Sequence, residues 1–423
     1  VFKGDSDRIV ITGIGVVASN GLGKQQVWQA IGQGRSGIKP VSLFDTSVFK
    51  SKKAAEITDF DPAQILGRKG LRLLDRTTKL SLSATKYALE DARLEIADEN
   101  SRRTGVVLAS TMGSVESRAG FYLDLLGEGF VGVNPALFPN TVVNSPASEI
   151  GIYFRVRGLN TTVSNGFTGA LDALQYAANM IRWKRIDTAL VGGVEALNPF
   201  VYSAFEKLGL LSRITTTSKE AIAPFDRHRN GTVLGEGAVM FVLESLDAAT
   251  RRNAPVYAEL AAGKTLFDSR SYLRYPARGT VLRRAIEHVL GETHLEPDSV
   301  DFVSTSANGV KIADAVESRI LFSILGRPGK RPLVTASKSL FGETFSASGG
   351  FQIAYGLFGF EKNLVPPTLN CEQADTGCPV ECAGRLPASV GRAPEASRIE
   401  NVLVTSVSPM GYSSAVLLKS MRG

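Results

Sequence analysis

The chain has 423 residues, 43% of them hydrophobic, and 48 Lys and Arg against 41 Asp and Glu, which leaves a net charge of +7. That is enough apolar material for one large or two ordinary cores, while no apolar run reaches the ~18 residues that a membrane span needs. Three cysteines, all between 371 and 382, cannot staple a chain of this length, and no Lys/Arg run is interleaved with aromatics as nucleic-acid readers require.

Reduced, cytoplasmic surroundings follow from the sparse cysteine, and neither a membrane nor nucleic acid is expected as partner. The surplus of positive charge fits a solvated surface or an acidic protein partner. The start at Val1 rather than Met points to a trimmed N-terminus and leaves room for a targeting segment upstream.

Along the chain, short β-rich runs alternate with longer helical patterns. A strand over 8–12 leads to a helix over 25–32 and a long one over 72–92. Strand 104–109, helix 167–183 and strands 188–192, 239–243 and 256–260 follow. Then come helix 280–290, strand 300–304, helix 312–325, strand 333–336, helix 346–358 and strands 402–406 and 415–418. This alternation argues an α/β fold. The one mid-chain seam lies near residue 250, giving halves of 1–250 and 251–423. Each half places a small-residue turn before an Ala/Gly-rich helix, at 164–182 and 342–359, which hints at duplication.

The stretch "TTVSNGFTGALDAL" reads as β-strand, tight turn and helix start, with Leu171, Leu174, Ala177, Ala178 and Ile181 at helical spacing. Enzymes hold a reactive side chain at such an elbow, on the positive end of a helix. Here the elbow residue is Phe167, which has no nucleophilic atom.

Other motifs carry less. Gly13-x-Gly15-x-x-Ala18 superficially matches a dinucleotide fingerprint, but no acidic residue sits about 20 positions on to take a ribose hydroxyl. Cys371, Cys378 and Cys382 in "NCEQADTGCPVEC" lack the fourth ligand and the close pairing of a zinc site, and read as loop thiols. His228 lies in a charged loop, and His288 and His294 flank a helix end, so a His-dependent centre is hard to build. No metal and no cofactor are expected.

With "RIVITGIGVVASNG", "GRKGLRLLDRTTK", "PFDRHRNGTVLGEGAVMFVLE", "ASKSLFGETFSASGG" and "NLVPPTLN" in this order, nearly the whole chain resembles the β-ketoacyl-carrier-protein synthases. The resemblance implies the thiolase fold: two similar fused α/β halves in five alternating layers, usually paired into a dimer. It also implies a chemistry of one Cys at the elbow and two His. The thiolate takes the acyl chain from a carrier protein, and the histidines assist malonyl decarboxylation and steady the oxyanion.

The chain departs from that pattern at all three positions. Phe167 stands at the nucleophile position, Ser306 at the first histidine and Glu343 at the second. The family's Lys is kept as Lys338, as are Gly235 and Gly237. The flexible Gly-Phe-Gly-Gly gate has become "SVSPMGYSS", with Ser408 and Pro409 in place of phenylalanine and glycine.

An intact scaffold with a dead elbow resembles the chain-length factors of type II polyketide systems. The resemblance implies a non-catalytic subunit that pairs with an active ketosynthase and helps shape the product tunnel. The tunnel and interface candidates are Phe138, Thr141, Val142, Val143 and Asn144, in a segment 138–154 that reads equally well as an ordinary buried helix, together with Phe167. Arg68, Lys69 and Arg72 lie where family members present basic charge to the acidic carrier protein. Because Phe167 replaces the Gln often found in aromatic-polyketide partners, a polyene-type or other product stays open. Two rival readings remain: an acyltransferase that uses Ser164 or Thr168, and a self-pairing pseudoenzyme.

Overall fold

The computed structural model describes residues 4–5, 7–272, 274–386 and 398–421. In its first half the elements that position the centre are β1 (Ile9–Ala18), α1 (Gly23–Gly32), α2 (Arg76–Ala92), β2 (Thr104–Ala109), α3 (Val115–Gly132), α4 (Ser145–Tyr153), β3 (Asn160–Val163), α5 (Gly169–Arg182), β4 (Thr188–Glu195), α6 (Pro199–Lys207) and β5 (Gly237–Ser245). The second half supplies β6 (Ala258–Phe267), α7 (Thr280–Thr293), β7 (Phe302–Ser304), α8 (Lys311–Leu325), β8 (Leu333–Thr335), α9 (Ser348–Lys362), β9 (Glu381–Cys382), β10 (Asn401–Val407) and β11 (Tyr412–Ser420).

Side by side, the strands run β9-β8-β7-β10-β11-β6-β1-β5-β4-β2-β3. The join between halves is slight: Val10 faces Glu259 and Ile11 faces Ala258. On both sides of it the strands stand in the same spatial order, namely first, last, fourth, second and third along the chain, with β9 added at one outer edge. The duplication suggested by the two elbows is therefore a property of the topology.

Helices α5 and α9 lie together between the two sheets, α2 covers the outer face of the first sheet, and α7 and α8 cover the outer face of the second. This is the five-layer thiolase arrangement. The middle layer is covered on both faces, so α9 is buried at every residue from Ser348 to Phe360 and carries no polar stripe. On α5 the predicted apolar positions Leu171, Leu174, Ala177, Ala178 and Ile181 are all buried.

The paired glycines of β1 serve packing, not a nucleotide. A Cβ on Gly13 would lie 2.5 Å from the carbonyl oxygen of Ala88, and one on Gly15 would lie 1.9 Å from that of Ala84. Only glycine lets α2 rest on the strand that closely.

Most predicted elements are present with shifted ends. Helix α2 starts at Arg76, not 72, because the Asp75 side chain accepts a hydrogen bond from Thr78 N and caps it. Strand β6 runs on to Phe267, since β11 pairs with it over nearly its whole length. Helices α3 and α6 were not anticipated, and α4 occupies the later part of the segment 138–154 for which a helix is one of two readings. Among the described residues no helix is long and apolar enough to cross a membrane.

Candidate functional site

Strand β3 ends at Val163, Gly166 turns the chain at φ 69°, and a single 3-10 turn, Gly166–Thr168, delivers Phe167 to the head of α5. The second half repeats this with the 3-10 turn Phe345–Ala347 at the head of α9. The two elbows meet: a Cβ on Gly169 would come within 3.1 Å of the Cβ of Ser346.

At that meeting point the rings of Phe167 and Phe345 stand edge to face, 5.5 Å between centroids, and Phe205 of α6 packs on Phe345 at 5.3 Å. Leu197, Tyr202, Leu211 and Leu234 close the cluster around them, and Phe167 is 5% exposed. Phe345 holds a left-handed backbone at φ 47°, uncommon for a bulky residue. The elbow thus carries packed hydrocarbon where a reactive group would stand.

Lys338 and Glu343 lie beside it. The Lys338 Nζ is 5.3 Å from the centre of the Phe167 ring, a cation–π distance, and donates to Glu343 Oε2 at 2.8 Å. Glu343 also accepts from Asn308 Nδ2 at 3.0 Å, Ser348 Oγ at 2.8 Å and Phe345 N at 3.1 Å. With four donors on its two oxygens, this carboxylate has no free lone pair aimed at the elbow.

Ser306 is one step removed. Its N and Oγ donate to Glu317 Oε1 at 3.0 and 3.2 Å, and its Oγ accepts from Val407 N at 3.1 Å. Burial, opposed by the hydrogen bond from Thr405, pushes the Glu317 carboxyl up from 4.5 to about 7. Neighbouring Asp314 is likewise raised by burial, from 3.8 to about 6, although the Arg229 guanidinium opposes this from 3.5 Å.

The structure thus sets Lys338 against both Phe167 and Glu343, while Ser306 is tied to Glu317 and Val407. Asn308, Asp314, Glu317, Tyr275 and Phe345 belong to the same centre and escaped the sequence reading. Asp314 and Glu317 did leave a signal: two carboxylates three apart on the buried face of α8.

Ser408 and Pro409 form a tight turn over the elbow, closed by a hydrogen bond from Gly411 N to Ser408 O at 3.1 Å. Ser406 Oγ donates to Phe167 O at 3.1 Å. A Cβ on Gly166 would sit 2.9 Å from Ser408 Oγ and 3.1 Å from Met410 Cγ. Pro409 restricts its own φ within this turn.

The rival nucleophiles find no catalytic setting. Thr168 is fully buried and donates to Asp172 Oδ2 at 2.8 Å, while Ser164 is exposed with no histidine beside it. His228 Nε2 accepts from Arg227 Nε, His288 pairs with Glu292, and His294 caps α7.

The interface candidates are not an ordinary buried helix throughout. Residues Pro135–Thr141 make a 3-10 helix before α4, with Phe138 56% and Val142 42% exposed, Thr141 and Val143 half-buried and Asn144 exposed. On α4, Ile150 is buried and Ile152 is exposed. Phe138 packs on Phe121 of α3 at 5.9 Å. Helix α3 itself has no buried residue and presents Tyr122, Leu123, Leu126, Phe130 and Val131 to solvent. Arg68, Lys69 and Arg72 are exposed on the loop that leads to α2.

Comparison with known proteins gives the family and the fold. The family model described as "Beta-ketoacyl synthase, N-terminal domain" matches residues 6–249, and its C-terminal counterpart matches 257–372. The chain is 31% identical over 375 residues to the 3-oxoacyl-acyl-carrier-protein synthase 2 of Coxiella burnetii, covering 88% of this chain and 91% of that protein. The solved ishigamide ketosynthase/chain length factor superposes with a TM-score of 0.89 at 26% identity, over 98% of this chain and 99% of the other. A type II polyketide synthase acyl carrier protein in complex with its ketosynthase, bound to the hexaketide, gives 0.87 at 26% identity, over the same 98% and 99%.

Proposed function

The chain belongs to the beta-ketoacyl synthase family, and we propose that within it this chain is the non-condensing subunit of a cytoplasmic heterodimer. Its partner is a ketosynthase with an intact Cys-His-His centre, and the pair elongates a polyketide or fatty acyl chain on a carrier protein. The observation that carries this reading is the elbow itself. Phe167 packs on Phe345, itself backed by Phe205, where a thiolate would stand, and Glu343 is spent on Lys338, Asn308 and Ser348. Condensation needs a nucleophile and an oxyanion donor in the same cleft.

A second feature favours a pairing role over a free-standing one. Strand β3 is the outer strand of its sheet, and α3 leaves five large apolar side chains in water beside Phe138 and Val142. Unpaired strand edges and apolar patches of this size mark interaction surfaces. On this reading Phe138, Thr141, Val142, Val143 and Asn144 face the partner and its tunnel, and Arg68, Lys69 and Arg72 meet the acidic carrier.

Co-expression with a ketosynthase that has an intact Cys-His-His centre tests it. An equimolar complex should form and release a product of defined length, whereas each subunit alone releases none. Recovery of this chain as a homodimer that ignores the ketosynthase would favour the self-pairing reading.

A further inference from the structure

At the edge opposite the elbow, the first sheet ends in a set of basic loops. Strands β2, β3 and β4 run parallel, and the segments that enter them, 101–103, 155–158 and 184–187, lie together at their N-terminal ends. Backbone bonds knit these loops: Arg157 N donates to Ser101 O at 2.8 Å, and Asp187 N donates to Arg103 O at 2.7 Å. The Arg103 guanidinium crosses to the third loop, donating to Lys184 O at 3.0 Å and Arg185 O at 3.3 Å. The elbow stands at the other end of β3, past Val163.

Arg102, Arg155, Arg157, Lys184 and Arg185 are all exposed on this face. Its acids are fewer and partly committed. Asp187 pairs with Arg103 at 2.5 Å and Asp98 pairs with Arg157 at 3.3 Å, while Glu95 and Glu99 stand exposed on the turn before Arg102. Asp7 borders the face at the end of α5, where its carbonyl oxygen accepts from Arg182 Nε at 3.2 Å. Among the described residues no ion pair engages Arg102, Arg155, Lys184 or Arg185.

Two of these cations sit where a side chain is a burden. Arg155 follows the end of α4 at φ 58° and Lys184 follows the end of α5 at φ 57°, left-handed positions that glycine or asparagine fills at least cost. A cation there also meets the negative end of the helix dipole. That accounts for one charge per helix and leaves Arg102, Arg157 and Arg185 over.

We infer that these three loops form a docking surface for an acid-weighted face of another protein, gripped by Arg102, Arg155, Arg157 and Arg185. Arginine holds a carboxylate through two parallel N–H···O bonds, and the opposed charges speed encounter. The interspersed Glu95, Asp98 and Glu99 favour a protein over a uniform polyanion, because a duplex or an anionic bilayer meets them with phosphate alone. A second copy of this chain, with its own net charge of +7, is a poor match for the same reason of sign. A protein seated here leaves the elbow end of β3 untouched, so the contact recruits and takes no part in chemistry.

The test uses the full chain with a short fluorescent poly-L-glutamate as probe, and a DNA duplex and phosphatidylglycerol vesicles beside it. The peptide should bind with an affinity that falls as salt rises, and Arg155→Glu combined with Arg185→Glu should weaken it about tenfold or more. A second variant, Arg155→Gly with Lys184→Gly, relieves two left-handed positions. It should melt no lower than the wild type and still bind the peptide less tightly. Binding that is unchanged in both variants overturns the proposal, as does a loss of binding that comes only with a loss of stability. A duplex or vesicle held more tightly than the peptide overturns the choice of a protein.

Discussion

Lys338 Nζ lies 2.8 Å from Glu343 Oε2, and the two side chains are 1% and 0% exposed. Opposite charges buried this completely hold each other against the cost of leaving water, and removal of one strands the other. Glu343→Ala should lower stability by about 3–5 kcal/mol. Lys338→Met combined with Glu343→Leu should lose much less than the two single changes summed. Urea titration of the wild type, both singles and the double closes the cycle, and additive losses would mean that the pair is not coupled.

Restoring the nucleophile alone should not restore chemistry. Residues that act as a catalytic unit are strongly non-additive, and Phe167→Cys leaves Ser306 on Glu317 and Glu343 on Lys338. Intact mass after incubation with acyl carrier protein should show slow acylation at most, and malonyl carrier protein should release no carbon dioxide. Condensation by Phe167→Cys at the rate of an intact ketosynthase would show that the histidine positions were assigned wrongly.

Phe167 and Val143 should separate stability from product length. Phe167→Ala opens a cavity against Phe345, at a cost of about 3–5 kcal/mol, and should leave product length unchanged in the paired complex. Val143 is half-buried in the segment assigned to the tunnel and packs on Gly113, whose Cβ would lie 3.2 Å from its Cα. Val143→Ala should lengthen or broaden the products while partner acylation proceeds as before. Mass spectrometry of products from both co-expressed variants decides, and a length shift confined to Phe167→Ala would reverse the two roles.

Glu317 gives the fold a pH dependence of defined sign. Its carboxyl titrates near 4.5 when exposed and at about 7 in the fold. Below that window both states are protonated. Inside it the folded chain keeps a proton that the unfolded chain has lost, so stability falls as pH rises from 4.5 to 7. Glu317→Gln should flatten this slope relative to the wild type, with thermal melting at constant ionic strength as the measure. An unaltered slope would place the proton on another group, such as Glu195, which burial also raises to about 7.

The fold was legible because its periodic elements are long and regular. Helix α5 declares itself by its apolar spacing, and the strands by short β-branched runs. What the sequence hid has physical causes. Helix α3 carries Gly120, Gly127, Gly129 and Gly132 and lacks a buried stripe, and Gly129 at φ 71° breaks it. The elbow's emptiness could be read from the letter at 167, yet its filling could not, because Phe205 and Phe345 come from distant segments.

The glycines around the elbow have a consequence for how chains of this kind are recognised. Gly235 and Gly342 face each other so closely that a Cβ on Gly342 would lie 3.0 Å from Gly235 Cα, and a Cβ on Gly193 would lie 2.7 Å from Ser346 O. These are demands of backbone on backbone, indifferent to whether residue 167 carries a thiol or a phenyl ring. A signature assembled from such positions therefore certifies the scaffold and is silent on turnover. On the proposed non-condensing role, a survey that counts condensing enzymes by signature counts this chain among them, unless the letter at 167 and its two companions are read separately.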